Sequence, residues 1–302
     1  MWRVRYQAVK IVLPVLLISA VSCRPSEDAR IAATHMATTA KDLDSYYSAL
    51  ESVVDDQAKL ERLQKALLGV PLDPQDLSQL QSIHAEMEKR VATAKALAKL
   101  ADSFIELTGS KAPADVSQAA ASLGAKLSDI QQLPGASYAP EALQSAGKIL
   151  TQFALQHDER KMAESIDPTM AALSQMFTQE KPAYDSMNTT YIGLAQSLAL
   201  ELVKRNQVDP ENLLAPALKP FGLTSHVPPQ QVTQQLQEYA REQIQSEGKQ
   251  ELAAYAKASA EMDDALKELS TEIHQLATTG HSPAKKTALK LSAVELWTKQ
   301  LQ

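Results

Sequence analysis

The sequence predicts an all-α fold, an elongated antiparallel bundle of about four long helices with shorter helices between them. Three observations lead there. The chain is rich in Ala, Leu, Gln, Glu and Lys, holds only 5% aromatic residues and has 9 glycines in 302 positions, a mix that favours helix over strand. Its apolar residues recur at alternating steps of three and four over long stretches, the spacing that puts one seam on one helix face. The breaks between those stretches carry Gly on one side and Pro or Asp on the other, which are stop and start signals for helices.

The first long helix is expected over about 29–68, with Leu43, Tyr46, Leu50, Val53, Leu60 and Leu67 as its seam and Gln57 and Gln64 filling the gaps. Gly69 and Pro71 end it. Asp73 and Pro74 open a second helix that should reach about Thr108, before Gly109. Its seam is Leu77, Leu80, Met87, Val91, Ala94, Ala98, Ala101 and Ile105, with His84 as the one polar member. So short a connection makes these two helices antiparallel neighbours. Pro113 starts a shorter helix to about Gln132, and Leu133-Pro134-Gly135 reads as a turn. Another short helix is expected from Pro140 to about Ser165. Pro168 then marks a fresh N-terminus with Asp167 as its cap. From Thr169 to about Asn206 the seam is Leu173, Phe177, Tyr184, Met187, Tyr191, Leu194 and Leu198, with Glu180 occupying one place in it. Pro182 should kink or interrupt this helix.

Residues 207–229 carry Pro210, Pro216, Pro220, Pro228 and Pro229 and read as a connector, either a hinge or a tight corner. The last long helix is expected over about 230–278. Its later half has a regular pattern of Leu252, Tyr255, Ser259, Met262, Leu266, Leu269, Ile273 and Leu276, and its earlier half relies on Val232, Leu236 and Tyr239. Gly248 separates the halves. A final helix is expected from Pro283, carrying Trp297.

The first 22 residues stand apart. Arg3, Arg5 and Lys10 precede an uncharged, mostly aliphatic run from Ile11 to Val21. A basic start, a short apolar segment and a small-residue cleavage site make a secretory signal. The run is far short of the roughly 20 residues that a membrane span needs. It ends at Ala20-Val21-Ser22-Cys23, where Cys23 is the sole cysteine. This tetrapeptide resembles the lipobox of bacterial lipoproteins, with Ala20 standing where Leu is usual. The resemblance covers only this end of the chain. It implies that the leader is cut before Cys23, that the sulfur of Cys23 carries a diacylglycerol and that the new amino group is acylated. Ala20-x-Ser22 would also suit an ordinary signal peptidase, which would leave an exported protein with a free N-terminal thiol. A single cysteine leaves no intramolecular disulfide for an oxidising compartment, whereas a lipidated one needs no partner. Where the lipoprotein class retains proteins in the inner membrane with Asp after the cysteine, this chain has Arg24, which leans towards the outer membrane. The expected organisation is therefore a leader over 1–22, a polar tether over 23–29 and a helical bundle over 30–302.

The search for chemistry yields little. The chain has 30 basic and 36 acidic residues, and loss of the leader removes three of the basic ones. An acidic chain lacks the footprint for nucleic acid. There is no H-E-x-x-H, no phosphate-cradling glycine loop, no dinucleotide fingerprint and no G-x-S-x-G, so no catalytic residue, cofactor or metal is assigned and an enzyme is not expected. Glu88 follows His84 by one turn, so the two can face each other; the pair reads as an ordinary helix face or a satisfied core histidine rather than half a metal site. Glu180 reads as an edge residue reaching water beside Pro182, and the other reading is a polar group facing a cavity. Phe177, Glu180, Tyr184, Met187 and Tyr191 are the candidate lining of a ligand pocket, although such spacing also describes plain core. The functional expectation is a lipid-anchored protein of the bacterial envelope that acts as a structural or interaction module for another envelope protein. The alternative is a carrier that holds a small apolar or amphipathic ligand between helices.

Overall fold

The structure is a computed structural model and describes residues 27–71, 73–107, 113–136, 140–151, 159–205, 207, 233–281 and 291–301. Among these residues there are seven helices and no strand: α1 Glu27–Leu68, α2 Pro74–Leu107, α3 Pro113–Ser128, α4 Glu141–Thr151, α5 Glu159–Lys204, α6 Gln234–Thr279 and α7 Ser292–Gln300. Four of them are long, at 42, 34, 46 and 46 residues for α1, α2, α5 and α6. None is long and apolar enough to cross a membrane. The expected leader, Cys23, the expected connector over 208–229 and Pro283 lie outside the described residues.

The helix ends follow the local chemistry of the sequence. Gly69 and Gly280 end α1 and α6 in the left-handed region, at φ 64° and 75°, where a side chain would be strained. The Gly280 N–H donates to Leu276 O at 3.0 Å. Asp73 Oδ1 accepts the Gln75 N–H at 2.9 Å, and Thr233 Oγ1 accepts the Leu236 N–H, so both helices start on a capping side chain.

Long-range pairs fix how the helices run. Asp28, His35 and Tyr46 of α1 meet His281, Glu272 and Tyr255, so α1 and α6 are antiparallel. Lys41, Asp44 and Glu51 meet Asp102, Lys95 and His84 of α2, which makes the α1–α2 hairpin antiparallel too. On α5, Arg160 donates to Ala277 O and Thr278 O, Asp167 meets His274, Thr178 donates to Asp263 and Gln196 donates to Ile244 O. Numbers rise on one helix as they fall on the other. Two antiparallel hairpins thus form the body. α3 and α4 pack together beside α2 and α5, and α7 returns against α6 and α1.

The core is concentrated in the half of the bundle that holds the N-terminus of α1. Buried residues of α1 run from Ala29 to Gln57, and before Tyr255 only Ala240 and Gly248 of α6 are buried. Tyr239, expected to pack, is half exposed, and its neighbour Ala240 is buried instead. Gly248 has a packing reason. A Cβ there would lie 1.8 Å from Gln196 Nε2, so the bare backbone makes room for the amide that donates to Ile244 O.

The largest departure from expectation is α5. It runs unbroken from Glu159 to Lys204, through both Pro168 and Pro182. There is no new N-terminus at Pro168: residues 159–165, expected to end the helix from Pro140, open α5 instead, and Asp167 is an internal residue whose carboxylate faces His274 Nδ1 at 2.9 Å. A proline inside a helix costs about 3 kcal/mol through a lost hydrogen bond and a clash. Met162, Ala163, Ile166, Met170 and Leu173 are all buried on the one continuous face across Pro168. At roughly 1.5–3 kcal/mol for each large apolar side chain, that face outweighs the proline. Pro182 lies on the exposed side, where water can satisfy the carbonyl it frees. α3 ends at Ser128 rather than Gln132, and Ser128 Oγ donates back to Gly124 O.

Asp42 of α1 sits half-buried near Glu295 of α7. Burial first, and the charge of Glu295 second, push its carboxyl up to about 6. The folded chain therefore holds this proton more tightly than the unfolded chain between about pH 4 and pH 6. Stability from this group falls as pH rises through that window and stays lower at neutral pH. Asp42→Asn should raise the melting temperature at pH 7, and the gap to the parent should close by pH 4. Thermal unfolding followed by circular dichroism at the two pH values checks this. An equal or lower melting temperature for the variant at pH 7 would contradict it.

Candidate functional site

The second and fifth helices each break their apolar pattern once with a charge. On α2, Ile83, Arg90, Leu97 and Phe104 recur at seven-residue steps, and on α5 so do Leu173, Glu180, Met187 and Leu194. The two interruptions meet. The side chains of Arg90 and Glu180 are both 0% exposed. Arg90 Nε donates to Glu180 Oε2 at 2.9 Å, and Nη2 donates to Oε1, a two-point fork that matches the planar guanidinium. The remaining N–H groups are also used. Arg90 Nη1 donates to Glu86 O at 2.9 Å, and Nη2 donates to Gln131 O at 2.9 Å. Glu86 Oε2 accepts the Gln131 N–H at 2.9 Å, and Lys89 Nζ donates to Glu86 Oε1 at 2.6 Å. The turn after α3 is thereby tied to α2.

Aromatic rings close over this pair. Tyr184, one turn beyond Glu180, donates its hydroxyl to Glu180 Oε2. Tyr46 and Tyr47 of α1 and Phe177 of α5 pack against it, and Tyr255 of α6 and Trp297 of α7 pack on Tyr46. Ring centroids are 5.6 Å apart for Phe177–Tyr184, 5.4 Å for Tyr46–Phe177, 5.3 Å for Tyr46–Trp297 and 5.2 Å for Tyr255–Trp297. Such tilted and edge-on pairs add about 0.5–1.5 kcal/mol each beyond their area. Burial raises the tyrosine hydroxyls of Tyr46, Tyr47, Tyr184 and Tyr255, and for Tyr184 the Glu180 carboxylate raises it further. They remain phenols; Tyr184 donates to Glu180 and Tyr46 to the Tyr255 hydroxyl at 3.2 Å. Burial works against the Arg90 cation, but Tyr184 and Glu180 outweigh it and hold its pKa above the ordinary value.

Of the residues expected to line a pocket, Phe177, Glu180 and Tyr184 lie in this packed interior, each 0% exposed. Met187 and Tyr191 are partly buried beside it. Glu180 neither reaches water nor faces a cavity; it faces Arg90. Met187 lines a separate groove of about 550 Å³ between α1, α2 and α5, with Val54, Gln57, Leu80, Ile83 and Ala183 among its walls. A second groove of about 650 Å³ runs beside α2, bounded by Lys89, Ala92, Lys126, Asp129 and Gln144. His84 proves to have more neighbours than Glu88. Glu51 and Asp55 of α1 also face it, at 3.7 and 3.1 Å. Burial raises the Glu51 carboxyl; His84 pulls it down and Glu88 and Asp55 push it up.

The residue missed from the sequence is Arg90. Its signal was present in the series Ile83–Arg90–Leu97–Phe104, which lies beside the seam that the apolar pattern picks out. With every donor engaged and no route to water, the Arg90–Glu180 pair positions helices rather than reacting with anything. No known protein family, curated protein or solved structure matches the chain, so the reading of the site rests on its own geometry.

A buried pair is costly to break, because removing one partner strands the other charge, yet replacing both by apolar groups is often tolerated. Glu180→Leu and Arg90→Met should each lower the unfolding free energy by about 3–5 kcal/mol. The double variant should lose less than either single one. Denaturant unfolding of the four proteins measures this, and losses that simply add would contradict the reading of a mutually dependent pair.

Proposed function

We propose that the protein is a lipid-anchored component of the bacterial cell envelope, attached through Cys23, and that its helical bundle serves as a structural or protein-interaction module. The observation that carries the reading is the position of the one cysteine. Cys23 follows the basic and apolar stretch over 1–22 and lies four residues before Glu27, where α1 begins. α1 then runs for 42 residues, about 60 Å at 1.5 Å per residue. An anchor there would set the densely packed half of the bundle beside the bilayer and carry the other end away from it.

Four of the six exposed large apolar side chains among the described residues lie at that far end, the others being Ile149 of α4 and Leu296 of α7. Leu63, Leu68 and Val70 lie at the α1–α2 corner, and Tyr239 lies in the first turns of α6. Arg205, just past the end of α5, donates to Leu67 O at 3.4 Å, and α6 runs antiparallel to α5, so the corner and the start of α6 share one end. Exposed apolar groups collected at one place favour contact with another protein. The outer membrane is the favoured location, from Arg24 in the position after the cysteine. The alternative, a carrier of a small amphipathic ligand, draws on the groove at Met187, because the space around Phe177, Glu180 and Tyr184 is filled by neighbouring rings and by Arg90.

In its native host, the parent chain should fractionate with membranes and show a mature mass that begins at Cys23 and includes acyl chains. Cys23→Ser should move it to the soluble fraction without acyl mass. From detergent-solubilised envelopes the parent should bring down a stoichiometric protein partner, and Leu68→Asp with Val70→Asp should abolish that recovery while leaving the membrane fractionation unchanged. A Cys23→Ser protein that stays with membranes, or a parent of unacylated mass, would overturn the anchoring. A tightly held small molecule and no protein partner would favour the carrier.

A further inference from the structure

His84 stands midway along the α1–α2 hairpin with three carboxylates around its ring. Its Nε2 lies 3.7 Å from Glu51 Oε1 and 3.7 Å from Glu88 Oε1, and its Nδ1 lies 3.1 Å from Asp55 Oδ1. Glu51 and Asp55 are one turn apart on α1, and Glu88 is one turn from His84 on α2, so two helices converge on one imidazole. The two Nε2 distances are too long for hydrogen bonds. They are close to another spacing. Two ligand atoms bound at about 2.1 Å to one tetrahedral zinc ion stand roughly 3.4 Å apart. The ligand atoms of Glu51, His84 and Glu88 all lie within 4.8 Å of one another, and Glu88 is exposed enough to swing inward.

The other ring nitrogen supplies an independent reason. His84 Nδ1 is a buried atom without a well-formed hydrogen bond, and Asp55 is its close neighbour. A carboxylate beside the far nitrogen of an imidazole is the arrangement that orients a metal-bound histidine and makes it a better ligand. The charges agree. Three carboxylates surround one imidazole, while Lys95, which acts on Glu51, is turned towards Asp44 at 3.8 Å. Nitrogen with carboxylate oxygen suits zinc and its neighbours in the transition series, whereas calcium and magnesium favour oxygen alone.

We propose that Glu51, His84 and Glu88 bind one divalent transition-metal ion, zinc by the chemistry of the donors, with Asp55 orienting the imidazole and a fourth position left to water. The ion joins α1 to α2 and relieves the crowding of negative charge between them. This assignment stands apart from the membrane anchor and does not depend on it.

The test is calorimetric titration of the full chain, in detergent and without a histidine tag, with zinc as the probe. The expected result is one zinc per chain with a micromolar or tighter Kd. His84→Gln and Glu51→Gln should each weaken it at least tenfold, and Asp55→Asn about tenfold. His274→Gln, which removes a histidine paired with Asp167 elsewhere, should leave it unchanged. Circular dichroism without metal checks that the variants keep their helices. For any that do not, cobalt bound to the parent chain should give a visible absorption that one equivalent of zinc removes. A parent chain that takes up no stoichiometric zinc, or a folded His84→Gln that binds as tightly as the parent, overturns the proposal.

Discussion

Two opposite charges with no access to water govern the interior of this bundle. Arg90 and Glu180 lie on different hairpins, and both are fully buried. A charge in that position is tolerable only when its partner is present and its remaining hydrogen-bonding groups are used. Apolar seams alone allow a helix to slide or rotate by a turn with modest loss. A guanidinium that must find one carboxylate, one backbone carbonyl of the turn after α3 and one on its own helix does not. The relative placement of α2, α5 and the α3–α4 unit follows from that requirement. Tyr46 and Tyr47 of α1 then pack on Tyr184 above the pair, with Tyr255 of α6 and Trp297 of α7 behind Tyr46.

The same concentration of buried surface explains the tolerance of α5 for two prolines. The lost backbone bonds are a local penalty, and the apolar face that crosses Pro168 is a larger gain. It also explains the uneven character of the molecule. Where the rings and the ion pair are, helices bury a broad face. Towards the α1–α2 corner they thin to narrow contacts such as Gln196 over Gly248, and leucines stand in water. Under the proposed anchoring, the half that lies beside the membrane is the rigid one and the half that meets partners is the more open one.

Much of the fold was legible in the sequence because helix periodicity is a local property. Gly69, Gly135 and Gly280, Asp73, the seam of α1, part of that of α2 and that of the later half of α6 are readable without tertiary information. What failed was a weighing of local against global terms. Ile166-Asp167-Pro168 carries every local sign of a helix start, but the decision lay in what Met162, Ile166 and Met170 could bury. Glu180 is visible in the sequence as a charge in an apolar series, and its meaning depends on Arg90, ninety residues earlier on another helix. Opposite charges that each interrupt a seven-residue series are a detectable signal, but only once both series have been written out. His84 with Glu88 was likewise half of a group whose remaining members, Glu51 and Asp55, come from α1. Sequence spacing shows the neighbours on one helix and is silent about those across a hairpin.

The dependence of the fold on its charged aromatic interior is tested most directly by native-state hydrogen exchange, resolved residue by residue. Backbone amides near Leu50, Arg90 and Tyr184 should exchange only through global unfolding. Those over Lys65–Leu68 and Glu238–Gln245 should exchange earlier, through local openings of small free energy. Amides beside Arg90 and Tyr184 that exchange as readily as those at the α1–α2 corner would contradict the account.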